Sequence, residues 1–188
     1  MEQLWSITIG DLLDKMADDY PKQDAVLYTD RPFRKTYSEF RDLCNKVAKG
    51  FLAMGIKKGD HVAIWATNYP EWLLTMFATA KIGAVMVTVN TNYKIFELEY
   101  LLKQSDSTTL VMTDGFKDSD YVGIVNKMYP ELKDVEPGKV NIENLPFLKN
   151  IIHVGSKRQK GMFQWEDLYK LAETVSDETL SEIQAGLD

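Results

Sequence analysis

The chain has 188 residues, 45% hydrophobic and 27% charged, with a formal net charge of −6. That length suits one domain, which buries roughly 70% of its unfolded-chain surface and needs no disulfide or metal staple. The acidic balance disfavours non-specific nucleic-acid binding, and the longest apolar run, residues 72–80, is far too short to cross a bilayer.

The N-terminus, Met1 to Trp5, has no basic flank and no long apolar run, so it is neither a signal peptide nor a transmembrane span. Ile9, Leu12, Leu13, Met16, Ala17 and Tyr20 then recur at helical spacing, with Thr8 placed to cap. Residues 25–29 and 33–37 flank the turn-like Asp30-Arg31-Pro32 and predict a hairpin. Phe40, Leu43, Cys44, Val47, Ala48, Phe51 and Leu52 form a second helical stripe, with Ser38 as cap and Gly55 just past its end. The single cysteine, Cys44, lies on that apolar face and reads as core; without a disulfide partner it fits a reducing, cytoplasmic compartment.

From there strands and helices alternate. Residues 62–66 predict a buried strand. Asn68-Tyr69-Pro70-Glu71 predicts a helix start, with Asn68 as cap and Pro70 in the first turn. The helix it opens is apolar nearly all round through Ile82 and should be covered on most sides, so Phe77→Ala is expected to open a costly cavity. A strand follows at 84–89, a helix at 95–103 and a strand at 108–112. Tyr121, Ile124, Val125 and Met128 make another helical stripe. This alternation implies βαβ units, hence an α/β fold with a mostly parallel sheet flanked by helices, plus the N-terminal hairpin. After Pro130 the texture turns polar. Residues 131–144 read as a long connection, 150–154 and 162–165 as strands, and 166–173 and 177–185 as helices. The division is therefore 1–130, an α/β core, and 131–188, a connection with a returning strand and helices of the same domain.

Ligands in parallel α/β sheets bind outside the carboxyl ends of strands. Three such ends are predicted: Thr67-Asn68, Asn90-Thr91-Asn92 and Thr113-Asp114-Gly115. Each precedes a helix N-terminus able to take an anion, and each also reads as plain turn and cap chemistry. Other candidates carry less. His61 and His153 stand far apart with no metal-ligand spacing, and Glu97 and Glu99 do not share a helix face. Trp65, Trp72 and Trp165 read as core, and Lys157, Arg158 and Lys160 as a solvated loop. No catalytic residue and no metal ligand is assigned. No phosphate-binding glycine motif is present either, neither G-x-x-x-x-G-K-[ST] nor G-x-G-x-x-G.

Segments TYSEF (36–40), GIKKGDHVAIWATNYPEW (55–72) and FATAKIGAVMVTVNTNYKIFELEYLLKQSD (77–106) resemble the N-terminal subdomain of acyl-CoA synthetases, in the AMP-binding, adenylate-forming superfamily. The resemblance is renewed over 144–168, with its MFQWEDL return. It implies a two-step reaction in which a carboxylate attacks ATP to give an acyl-adenylate and the CoA thiol then displaces AMP. ATP, Mg and CoA are implied for a full-length enzyme, and none of them for this chain alone. The family's phosphate loop, ribose-binding Asp and catalytic Lys have no counterpart among these residues. In acetate-activating relatives a loop after the strand matching 84–89 approaches the CoA nucleotide. That loop is here Asn90-Thr91-Asn92, the putative cofactor-side residues, although many members place Pro where Thr88 and Thr91 stand. The texture from Asn92 to Tyr100 leans toward medium- or long-chain fatty acid members.

The expectation is thus an N-terminal fragment of an acyl-CoA synthetase, inactive by itself. Its partner is the remainder of the ligase chain, and an uncovered docking face would invite self-association. A stand-alone binding or interaction module derived from the family is the rival reading. An unrelated doubly wound nucleotide-binding domain is a second, opposed by the missing glycine fingerprint.

Overall fold

A computed structural model describes residues 6–187, so the reading of the first five residues lies outside it. Thr8 caps α1 (Ile9–Asp19), its hydroxyl accepting from the Asp11 amide at 3.1 Å. β1 (Asp24–Leu27) and β2 (Arg34–Thr36) pair antiparallel as a hairpin with a sheet of its own. The cap of α2 (Tyr37–Ala53) is Thr36 and not Ser38. Thr36 Oγ1 accepts from the Glu39 amide, and the Glu39 carboxylate accepts from the Thr36 amide. Such a box requires a hydroxyl and a Glu three apart, whereas Ser38 has Arg41 at that place.

The alternating region follows as β3 (His61–Trp65), α3 (Pro70–Ile82), β4 (Val85–Thr88), α4 (Ile95–Gln104) and β5 (Ser107–Thr113). Asn68 does not cap α3. The cap is Tyr69, without a side-chain bond. Pro70 at the first helical position supplies the fixed φ and has no N–H to satisfy, which lowers the need for a capping oxygen. Glycine ends the helix, since Gly83 sits at φ 70°. A small hairpin that the sequence reading did not include, β6 (Gly115–Phe116) with β7 (Ser119–Asp120), precedes α5 (Tyr121–Met128). The chain closes with β8 (Asn150–Val154), β9 (Phe163–Gln164), α6 (Asp167–Leu171) and α7 (Asp177–Ala185).

The main sheet has five strands in the order β4-β3-β5-β8-β9, every pair parallel. Its inner strands β3, β5 and β8 are buried on both faces, as strands sandwiched by helices must be, while the edge strand β4 keeps Val85 and Thr88 exposed. Val62, Ile64, Val111 and Ile152 face a core shared with α1, α2, α3, α6 and α7. Ala63, Trp65, Leu110, Met112 and Ile151 face a second core under α4, α5 and the stretch between α5 and β8. The molecule therefore has three layers, and period-two alternation decides which layer each strand residue joins.

Two expectations change on this frame. The 131–144 connection is not simply a polar loop. It opens with a 3₁₀ turn, Pro130–Asp134, and buries Leu132, Val140 and Ile142, with Leu145 and Leu148 following. These apolar residues are too sparsely and irregularly spaced for periodicity to detect. α3, by contrast, has no fully exposed residue, as expected, yet Phe77 is only half-buried. Its ring meets Phe40 edge-on, with centroids 5.5 Å apart and planes at 89°.

Candidate functional site at the carboxyl edge of the sheet

The strand order locates the crevice. After β3 the chain crosses to β4 on one side, then returns past β3 to β5 on the other. The connecting helices consequently lie on opposite faces and leave a gap outside the carboxyl ends of β3 and β5, where ligands bind in open α/β sheets. A cavity of about 410 Å³ occupies this edge, bordered by Tyr69, Pro70 and Glu71 after β3, Asp114 after β5 and Gly155 and Ser156 after β8. The tip of the β1–β2 hairpin closes one side. Arg31 lies 4.4 Å over the Tyr69 ring and 5.5 Å over that of Tyr28, and binds Asp30 at 2.9 Å.

Polar groups without partners gather at the same edge. Among the described residues, Glu71 Oε2, Thr113 Oγ1, His153 Nδ1 and Gln164 Oε1 are enclosed and have no hydrogen-bond partner. Natural structures keep few such atoms, and each calls for a reason. Burial raises the pKa of Glu71, opposed in part by the nearby Arg31 charge. His153, fully buried at the end of β8, joins its Nε2 to Asp114 Oδ1 at 2.8 Å. Gly155 passes directly over this pair, where a Cβ would lie 2.8 Å from His153 Nε2 and 2.9 Å from Asp114 Oδ1. Sequence reasoning set His153 aside. Its only signal was its place at a strand's carboxyl end, and nothing in the sequence paired it with Asp114.

The other sequence candidates fall as follows. Asn90, Thr91 and Asn92 leave β4 on the far side of β3, outside that cavity. Asn90 and Asn92 are exposed. The Asn90 Oδ1 accepts from the Asn92 amide at 2.9 Å, which is an Asx turn. Cys44 is fully buried and burial pushes its thiol pKa well up, so it is core and no nucleophile. Trp65 and Trp165 are buried and Trp72 half-buried. Arg158 is held by both carboxylate oxygens of Asp167, at 2.6 and 2.7 Å.

The family model of AMP-binding enzymes matches residues 13–180. The chain belongs to the AMP-binding enzyme family. It is 53% identical over its full 188 residues to a Bacillus subtilis (strain 168) protein named "Putative acyl-CoA synthetase YngI". Over 98% of its length it is 33% identical to the mitochondrial medium-chain acyl-CoA ligase ACSF2 of Danio rerio. It spans 34% of the first of these relatives and 30% of the second. Among solved structures, the anthranilate CoA ligase AuaEII in complex with anthranoyl-AMP superimposes with a TM-score of 0.72, over 90% of this chain and 29% of that one, at 21% identity. The N-terminal domain of FACL13 from Mycobacterium tuberculosis gives 0.65 over 97% of this chain and 37% of that one, at 20% identity. These likenesses show the fold, that of the N-terminal domains of adenylate-forming ligases.

An AMP-binding enzyme handles phosphates, and the crevice does not suit them. Its rim carries Glu71, Asp114 and Glu166 against the single Arg31, whose charge Asp30 already engages. Such a lining repels a nucleotide phosphate. Among the described residues no three or more His, Cys, Asp or Glu come together as a metal cluster. The 90–92 loop differs. From Asn90 to Lys94 it has no carboxylate, and the half-exposed Lys94 side chain, two residues beyond it, binds Ser119 and has its ammonium 3.9 Å from Asp118.

Proposed function

We propose that this chain is the N-terminal region of an ATP-dependent acyl-CoA synthetase that activates a carboxylic acid, a fatty acid above all, through an acyl-adenylate. The match of the AMP-binding family over residues 13–180 carries this reading. The medium-chain specificity in the name of the Danio rerio relative supports the fatty acid. We read 1–130 as the α/β core and 131–188 as its connection with the returning strand, and place the enzyme in the cytoplasm. Among the described residues no helix is long and apolar enough to cross a membrane. Exposed Phe96, Tyr100 and Phe147 support self-association of the isolated piece.

Residues 1–188 alone are expected to form no acyl-adenylate. Charge developing on the phosphates needs preorganised donors, and the carboxylate-rimmed crevice supplies the opposite sign. The measurement is fatty-acid-dependent exchange of pyrophosphate into ATP, made on this chain and on a longer chain carrying the remaining two thirds of the ligase. Exchange by the long chain alone is the expected result. Reproducible exchange by residues 1–188 overturns it.

In the same reading Asn90, Thr91 and Asn92 lie on the CoA side of the complete enzyme. The strand-end position and the absence of carboxylates from the loop support this. Asn92→Ala in the full-length ligase is expected to raise the KM for CoA severalfold and to spare adenylation, which precedes CoA entry. Slowed adenylation with unchanged CoA dependence would make the loop a plain turn.

A further inference from the structure

The loop at 90–92 is held from beneath by two aromatic side chains with no exposed surface. Trp65 ends β3 and Tyr121 begins α5, and both are fully buried. Their rings stack with centroids 3.6 Å apart and planes within 14°. Each spends its polar atom on the loop backbone. The Trp65 indole Nε1 donates to the Asn90 carbonyl at 3.1 Å, and the Tyr121 hydroxyl donates to the Thr91 carbonyl at 2.7 Å. Burial moves the Tyr121 pKa up to about 12, which keeps the hydroxyl a donor over the working pH range.

Two consecutive carbonyls are therefore drawn toward the core. No peptide bond among the described residues is cis, and in a planar trans peptide the N–H points opposite to the C=O. The inward Asn90 carbonyl accordingly turns the Thr91 amide away from the core. The next amide, of Asn92, is taken by the Asn90 side chain, and that of Tyr93 returns to the Asn90 carbonyl at 3.0 Å. The turn thus presents a backbone donor at 91 next to the exposed Asn92 side chain, on a base tied down by two hydrogen bonds from buried side chains.

We propose that Trp65 and Tyr121 are positioning residues for CoA capture: by holding the Asn90 and Thr91 carbonyls inward, they aim the Thr91 amide at an acceptor oxygen of the CoA nucleotide. This rests on the CoA-side reading of the loop, and it adds the device that fixes the loop's geometry. A preorganised donor binds an acceptor without losing loop entropy at that moment, and a loosened one does not. Sequence patterning reads both aromatics as ordinary core, because hydrophobic spacing does not reveal where an indole N–H or a phenol O–H is aimed.

The test uses the full-length ligase with three variants. Tyr121→Phe removes only the hydroxyl and keeps the stack. Trp65→Phe removes the indole donor, and Asn92→Ala probes the loop surface directly. Tyr121→Phe is expected to raise the KM for CoA roughly two- to tenfold, the range that one neutral hydrogen bond commands. Hydrogen exchange at the 90–93 amides is expected to quicken, and adenylation to change far less than the CoA step. Trp65→Phe is expected to act in the same direction. If Tyr121→Phe slows both half-reactions alike in step with a lower melting temperature, the hydroxyl is merely structural and the proposal falls. It falls equally if Asn92→Ala raises the KM for CoA while Tyr121→Phe leaves it unchanged, although the CoA-side reading then survives. If neither variant moves that KM, the CoA-side reading fails and takes the positioning role with it.

Discussion

Phe51→Ala is expected to destabilise the fold by roughly 3–5 kcal/mol, and Phe77→Ala by well under half as much. Phe51 lies late in α2 with no exposed surface, in the core that α2 shares with α1, α3, α6 and α7. Its backbone carbonyl also accepts from the Ile56 amide at 3.0 Å, so the turn leaving the helix is fixed around it. That surround cannot collapse into the volume a phenyl ring vacates, and a rigid cavity wall makes truncation costly. Phe77 stands on a helix that is apolar on almost every side, which from the sequence made it the more sensitive position. It proves half-buried. Truncation there loses the edge contact with Phe40 and some apolar area, while solvent fills part of the gap. Denaturant unfolding of both variants decides the matter. A loss at Phe77 equal to that at Phe51 would mean that this face of α3 is closed off from solvent.

The second large effect concerns a charge inside the helical layer. Lys81, in the last turn of α3, is 1% exposed. Its ammonium donates to Asp14 Oδ1 at 2.6 Å and to Gln184 Oε1 at 3.2 Å. The Gln184 amide in turn donates to Asp11 at 2.6 Å and to Asp14 at 2.7 Å. Three helices, α1, α3 and α7, are locked by this one network, and Gly10 lets α1 approach, since a Cβ there would lie 3.1 Å from Lys81 Cγ. Asp14→Ala is expected to cost about 3 kcal/mol, because it strands a buried cation. The low end of the range applies, since Asp14 keeps about a third of its side chain in water. Lys81→Met also breaks the pair, but the carboxylate it leaves keeps about a third of its side chain in water and its bond from Gln184, so it is expected to cost less than Asp14→Ala. The ordering of the two is the test. A Lys81→Met loss larger than that of Asp14→Ala would show that the stranded carboxylate, and not the stranded ammonium, carries the larger penalty.

Much of the architecture was legible in the sequence, and for a definable reason. The stripe in α2, the run from Val62 to Trp65 and the strand–helix alternation through β5 are local patterns, repeated with the periods that a helix and a strand impose. They determined an α/β class and a parallel sheet, and the order of many small matches between 36 and 106 pointed to the family. Caps were legible only in part. Thr8 was readable because it directly precedes a periodic run. The true cap of α2 was Thr36, whose box with Glu39 was present in the sequence, and the cap of α3 needed no side chain because Pro70 replaced it.

What only the tertiary structure decided is which side chains meet across the sequence. Strand order placed the crevice between β3 and β5 and left Asn90, Thr91 and Asn92 on its far side. His153 reaches Asp114 across 39 positions, Lys81 reaches Asp14 across 67 and Gln184 across 103. A lysine at the end of an apolar helix looks like a solvated last-turn cation until another helix covers it. Hydrophobic periodicity says which face of an element is buried, because burial follows from a residue's own transfer free energy. It does not say what lies opposite that face. Pairings of buried polar groups depend on both partners and on the register between elements, so they appear only once the layers are assembled.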